Sequence, residues 1–228
     1  MKLSFVRVVF ALTIVLWLPG VARGADIVES IGIEHWTSGT ILTTSQFTTA
    51  VAGQPAPFNA FIGSDVSGPN FSASWDFVLG IPTGATVTGA TLTMGIYDHD
   101  SKAPGNQVAS FTVGSTDLTS LLNIQFESFG GANAEYDVYT ITLPSAAFAT
   151  LQSGTAHFAL SLQGPGLGIL GTTPFNGAGL DFSTLDVATQ TTSPTPEPGT
   201  AWLILAGIPG LVALRRRLGS LHVGIDRT

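Results

Sequence analysis

The stretch Phe71-Ser72-Ala73-Ser74-Trp75-Asp76-Phe77-Val78-Leu79 decides the reading of the fold. Side chains alternate between the two faces of a strand. Phe71, Ala73, Trp75, Phe77 and Leu79 therefore share one face, and Ser72, Ser74, Asp76 and Val78 the other. A strand that is apolar on one side and mainly polar on the other covers a core, which gives Trp75 a packing role. Ala90, Leu92, Met94 and Ile96 repeat the pattern against Thr91, Thr93, Gly95 and Tyr97. Ala156, Phe158, Leu160 and Leu162 repeat it against His157, Ala159 and Ser161. Shorter candidates cover residues 58–62, 108–113, 136–143 and 180–187, with breakers such as Pro82-Thr83-Gly84, Pro104-Gly105, Gly130-Gly131 and Gly164-Pro165-Gly166 between them. Residues 144–151 read as a helical turn that starts on Pro144 and stops at Gly154. Seven or more short strands at such intervals predict an all-β fold, an antiparallel β-sandwich.

Composition agrees with that reading and narrows the partners. The chain has 228 residues, 27 of them Gly, and only 10% are charged, which favours strands and tight turns over helices. Of eight Lys and Arg, Lys2, Arg7 and Arg23 lie at the start and Arg215, Arg216, Arg217 and Arg227 at the end, leaving Lys102 alone between them. Residues 25–198 thus set fourteen acidic side chains against one lysine, a formal charge of −13. Such a surface repels nucleic acid and anionic headgroups, whose binding needs basic side chains. The absence of cysteine excludes disulfides, thiol chemistry and thiolate metal sites.

Both ends read as addresses. Lys2 and Arg7 form a basic region before an apolar run from Val8 to Leu18, and Ala22-Arg23-Gly24 places small residues at the −3 and −1 positions of a signal peptidase site. Residues 1–24 are read as a secretory signal cleaved after Gly24, with a retained anchor as the alternative. Residues 25–192 form the exported domain. Residues 193–200, Ser-Pro-Thr-Pro-Glu-Pro-Gly-Thr, cannot make a regular helix or a central strand, because three prolines lack donors and fix φ. This segment is an extended linker. Residues 201–217 then hold fourteen uncharged positions, Ala201 to Leu214, followed by Arg215, Arg216 and Arg217. At ~1.5 Å per residue that apolar helix spans about 21 Å, less than a hydrocarbon core of about 30 Å. It forms a short transmembrane helix whose arginines stay cytoplasmic, leaving the acidic domain outside, with residues 218–228 as a cytoplasmic extension.

Pro196-Glu197-Pro198-Gly199-Thr200, a short apolar segment and the Arg215–Arg217 cluster together resemble the PEP-CTERM sorting tail of Gram-negative bacteria that make exopolysaccharide. The resemblance covers residues 194–217, and the eleven residues after Arg217 depart from the usual tail. It implies recognition by exosortase, a membrane-embedded processing enzyme, at or near Pro196-Glu197-Pro198. A plain membrane tail on a proline-rich stalk is the alternative reading. The strand layout also resembles the jelly-roll domains found ahead of such tails, which implies surface adhesion or glycan binding.

No catalytic arrangement stands out, and an enzyme is not expected. His35, His99 and His157 show no two-histidine metal spacing, and neither a nucleophile elbow nor a phosphate loop is present. Pairs such as Asp98/Asp100 and Glu135/Asp137 are candidates for a glycosidase only if folding sets them at the separation that chemistry requires. The most suggestive run is Asp98-His99-Asp100-Ser101, placed after a strand. Asp98 and Asp100 are candidate Ca²⁺ ligands, since that ion collects carboxylate and carbonyl oxygens, with Asn106 as a further donor. An ordinary Asx-rich turn explains the same residues and is preferred. Asp181 and Asp186 on the last strand are expected to be solvated, outward carboxylates, with a role as distant ligands as the alternative. Trp36, Tyr97, Tyr136 and Tyr139 would stack on sugar rings if exposed, and Asn70-Phe71-Ser72 is a formal glycosylation sequon. The expected role is that of an exported surface or extracellular-matrix protein, associated with exopolysaccharide or biofilm, transiently anchored and then released outward. A discrete glycan-binding module, with or without Ca²⁺, is the alternative.

Overall fold

The structure is a computed structural model that describes residues 24–98, 106–129, 134–164 and 175–191. Of the sequence-derived sites, Ala22, His99, Asp100, Pro196, Glu197, Pro198, Gly199 and Arg215 to Arg217 lie outside the described residues. The signal segment before Gly24, the linker and the apolar tail lie outside them as well.

Residues Gly24–Thr191 make one compact unit. Its strands are β1 (Gly24–Gly32), β2 (Thr40–Ile41), β3 (Phe61–Ile62), β4 (Ser72–Val78), β5 (Ala85–Tyr97), β6 (Val108–Val113), β7 (Thr116–Asp117), β8 (Glu135–Thr142), β9 (Thr155–Leu162) and β10 (Ala178–Thr191). The helices are α1 (Thr44–Ala50), α2 (Thr119–Phe129) and α3 (Phe148–Gln152), the last entered through a 3₁₀ turn at Ser145–Ala147. Every strand pairing is antiparallel. One sheet runs β1-β10-β5-β8-β2, with β3 also on β10, and the other runs β4-β9-β6-β7.

The two sheets face each other through the side chains that alternation selects. Trp75, Phe77, Phe111 and Phe158 from the smaller sheet meet Leu92, Met94, Ile96, Ile141, Leu185 and Val187 from the larger in one buried cluster. Trp75 and Phe158 stack at 5.8 Å, and Phe77 meets Phe158 edge-on at 5.8 Å. The parity predicted from residues 71–79 holds: Phe71, Trp75, Phe77 and Leu79 are buried while Val78 points outward, 74% exposed. The helical turn after Pro144 also forms, and Gly154 ends it with φ +87°, a conformation that favours glycine.

Five elements were not anticipated, α1, α2, β1 and the two-residue strands β2 and β7, and one candidate strand shrinks. Helix α1 is rich in threonine, a poor helix former, but Thr43 caps it: its hydroxyl accepts from Gln46 N at 3.2 Å while Gln46 Oε1 accepts from Thr43 N at 2.8 Å. Helix α2 follows Leu118 and turns Leu122 and Phe126 inward at helical spacing. Strand β1 pairs with β10 from Gly24↔Gln190 to Gly32↔Phe182, and its Ile27 and Ile31 pack on the core with Glu29 between them in sequence. In the 58–62 segment only Phe61–Ile62 are strand, because Phe58 N donates to Pro55 O in a turn. The pairing of Gly24 with Gln190 has a further consequence: the chain enters and leaves the unit on neighbouring strands at the same end.

Candidate functional site

The outer face of the larger sheet carries a second, smaller core rather than open solvent. Leu42, Phe47, Val51, Tyr97, Tyr136 and Phe182 are buried there, with Trp36, Phe61 and Val138 partly covered. Two glycines form its floor. A Cβ on Gly179 would collide with the Phe47 ring, and one on Gly95 would collide with the Tyr136 hydroxyl and lie 2.9 Å from Phe182 Cε1. The bare backbone lets these rings lie flat on the sheet.

Asp181 sits at the centre of this face. The β10–β5 register shifts between Leu180 and Phe182, so Asp181 has no partner on β5, the kind of irregularity by which strands re-aim a side chain. Its carboxylate is fully buried. It accepts from His35 N at 2.8 Å and from Tyr136 Oη at 3.1 Å on Oδ2, and lies 2.6 Å from His35 Nδ1 on Oδ1. This corrects the expectation of a solvated carboxylate: the bonds that make burial tolerable come from a residue 146 positions away. Asp186 does point outward.

The aromatic candidates are also redistributed. Tyr97, Tyr136 and Tyr139 are buried and offer no face to a sugar. Tyr97 stacks on Phe47 at 4.9 Å and donates to Leu42 O at 3.1 Å. Burial, then the Asp181 charge, pushes the Tyr136 hydroxyl far above the ordinary phenol range, and burial followed by Asp137 does the same to Tyr139. Asp137 is itself buried and accepts from Ser38 Oγ at 3.0 Å and from Tyr139 Oη at 3.3 Å. Trp36 remains partly accessible, wedged between His35 at 5.2 Å, Tyr136 at 5.4 Å and Phe47 at 5.7 Å.

Beside His35 lies a cavity of about 320 Å³, bounded by Gly32, Ile33, His35, Ala50, Ala52, Gly53, Gln54 and Pro55. The His35 side chain keeps 26% of its surface exposed. The side-chain oxygen and nitrogen of Gln54 are both buried and bond to nothing among the described residues. An unmet buried amide costs roughly 1–3 kcal/mol, so this corner of the fold is incompletely satisfied by its own groups. A wider groove of about 650 Å³ follows α2, but several of its polar side chains are committed to the fold. Asn123 Oδ1 accepts from Gln107 N and Val108 N, each at 3.0 Å, and Asp117 Oδ1 accepts from Thr119 N at 2.9 Å.

Asp98 has φ 53°, and its Oδ1 accepts from Ala134 N at 2.9 Å. Asp65, whose Oδ1 accepts from Gly177 N at 2.7 Å, acts electrostatically on it. Burial raises the pKa of both carboxyls, and in Asp98 the Asp65 charge adds to the rise. Among the described residues no group of three His, Asp or Glu side chains is placed to hold a metal ion. On the outside of the smaller sheet, His157 Nδ1 and Asp76 Oδ1 are cross-strand neighbours 2.7 Å apart, about half exposed. Glu135 Cα faces Ile41 across β2–β8, and Asp137 is its near neighbour in sequence, but the buried Asp137 is bonded into the sheet rather than facing a cleft.

No protein-family model matches the chain, and no curated protein matches it. Among solved structures it is similar to dimeric latent PorU from Porphyromonas gingivalis, at 11% identity and a TM-score of 0.33. That match covers 76% of this chain and 14% of PorU. Among the described residues no helix is long and apolar enough to cross a membrane.

Proposed function

We propose that the protein is an exported surface or extracellular-matrix protein whose C-terminal tail is processed by an exosortase, and that the Gly24–Thr191 unit is the cargo delivered. The carrying observation is the ordered tail Pro196-Glu197-Pro198, apolar segment and Arg215-Arg216-Arg217 behind an N-terminal signal. The fold supports the division of labour. The β unit has its own core, and its first and last strands, paired at Gly24↔Gln190, begin and end beside the two proposed processing regions. The strand orders β1-β10-β5-β8 and β4-β9-β6-β7 support a jelly-roll assignment for the cargo.

The acidic surface suits a neutral or cationic environment such as a neutral exopolysaccharide, and nucleic acid is not a partner on this reading. Exosortase is the processing partner, and the tail holds the protein at the membrane until cleavage. Replacing Pro196-Glu197-Pro198 with three alanines and fractionating the cells tests the proposal. The altered protein accumulates in the membrane fraction while the unaltered one reaches the surface or medium. Equal release of both would overturn it.

The second reading, a module with a defined glycan ligand, is favoured by one feature: the partly exposed His35 and Trp36 beside a cavity with an unsatisfied amide. Asp98 remains a proposed Ca²⁺ ligand only together with Asp100.

A further inference from the structure

We infer that the cavity beside His35 is a binding site for one neutral sugar residue, with His35 and Gln54 supplying the polar contacts. The inference gives a ligand to the exported unit of the preceding section, and rests on that reading only for where the sugar comes from.

The recognition chemistry follows from how the site is held. The Asp181 carboxylate can only accept, so His35 Nδ1–H donates to it at 2.6 Å and the ring is fixed at that edge. The Nε2 edge is then left for the partly exposed side, where it can share a hydrogen bond with a sugar hydroxyl, which both donates and accepts. The Asp181–Tyr136 contact at 3.1 Å fixes the carboxylate in turn, and Gly95 makes room for the tyrosine. This chain of contacts locks one imidazole at the rim of a cavity, the support a binding group requires.

Gln54 contributes the complementary half. It lines the cavity, and its amide, a donor and an acceptor side by side, is buried without partners among the described residues, so turning it toward a ligand breaks no hydrogen bond. A pair of adjacent hydroxyls can satisfy such an amide, since each hydroxyl both donates and accepts. Ile33, Ala50, Ala52 and Pro55 give the remaining wall an apolar character suited to the C–H face of a sugar ring. About 320 Å³ falls at the small end of ligand cavities, room for one ring rather than an extended chain. Among the described residues there is no Lys or Arg, so none of them compensates an anionic ligand, and a uronate or phosphate is disfavoured.

The test is an NMR titration of the mature, nitrogen-15-labelled protein with methyl glucoside, methyl galactoside and methyl mannoside to tens of millimolar, and with glucuronate as the anionic control. At least one neutral glycoside should produce saturable shifts in the Gln54 side-chain amide and the His35 ring nitrogens, with glucuronate at least tenfold weaker. Gln54→Ala and the cavity-filling Ala52→Trp should each weaken that binding at least tenfold without lowering the melting temperature. Both variants are preferred to His35→Ala, which exposes the fold to an unpaired Asp181. Absence of shifts with all three glycosides would overturn the inference, as would shifts that persist unchanged in both variants or that are equal for glucuronate. Tail processing is read separately by mass, so failure here with normal processing removes the sugar site and leaves the export reading standing.

Discussion

His35 Nδ1 lies 2.6 Å from Asp181 Oδ1, joining the segment just after the first strand to the start of the last, 146 residues apart. The carboxylate is fully buried, and the described residues include no Lys or Arg, so this imidazole and the Tyr136 hydroxyl are its side-chain partners. His35→Ala therefore leaves a buried carboxylate short of its best donor. A loss of about 3 kcal/mol is expected when one partner of such a pair is removed. In a domain of this size that corresponds to a melting-temperature drop of roughly 6–12 °C. Calorimetry of the variant checks it, and a drop below two degrees would show that the pair carries little of the fold.

Gly95 makes a second, independent prediction about the same face. Its α-carbon hydrogen faces the ring of Tyr136, and a methyl group there would overlap the tyrosine hydroxyl and sit 2.9 Å from Phe182 Cε1. Gly95→Ala should displace Tyr136 from Asp181 and cost about 1–3 kcal/mol, the usual penalty for overfilling a packed site. Chemical denaturation measures the loss. A compensating Tyr136→Phe, which removes the overlapping hydroxyl, should recover part of it.

All three tyrosines of the chain, Tyr97, Tyr136 and Tyr139, are buried with their hydroxyls pushed above the ordinary phenol range, first by burial. The sign follows directly. Below pH ~10 the phenols are neutral in both the folded and unfolded chain and stability is unaffected. Above it the unfolded chain releases protons that the folded chain keeps, so stability falls as pH rises. Absorbance at the phenolate band should stay flat past pH 10 and then rise in one cooperative step with unfolding. A gradual rise from folded protein near pH 10 would contradict the buried placement.

Much of the sandwich was legible because alternation is a local signal. The Phe71–Leu79 and Ala156–Leu162 patterns name their buried faces without any knowledge of a partner strand, and β4 and β9 then pair as neighbours. The outer-face core was not legible for the opposite reason. Tyr97 and Tyr136 sit in the parity that ordinarily faces water, and they are buried only because α1 and the segment around Trp36 fold over them. Asp181 was misread likewise, since a register shift that turns one side chain depends on the pairing with β5 and leaves no mark in a single strand. A capping signature did mark α1, Thr43 followed by Gln46 three residues on, although the threonines after it hid the helix. The Gln54 amide had no signature at all, because its lack of partners is a property of the packed chain.

On the proposed reading this β unit is carried outward and freed by cutting its tail. On that reading, three prolines without donors make residues 194–198 a segment expected to stay extended, and the fourteen uncharged residues that follow are short for a permanent anchor. Intact-mass and terminal-peptide analysis of the protein from cells with and without exosortase measures this directly. With the enzyme, the mature chain should start at Ala25 and end within or next to Pro196-Glu197-Pro198. Without it, the chain should start at the same residue and keep Arg215, Arg216 and Arg217. Identical C-termini in the two strains would contradict the account.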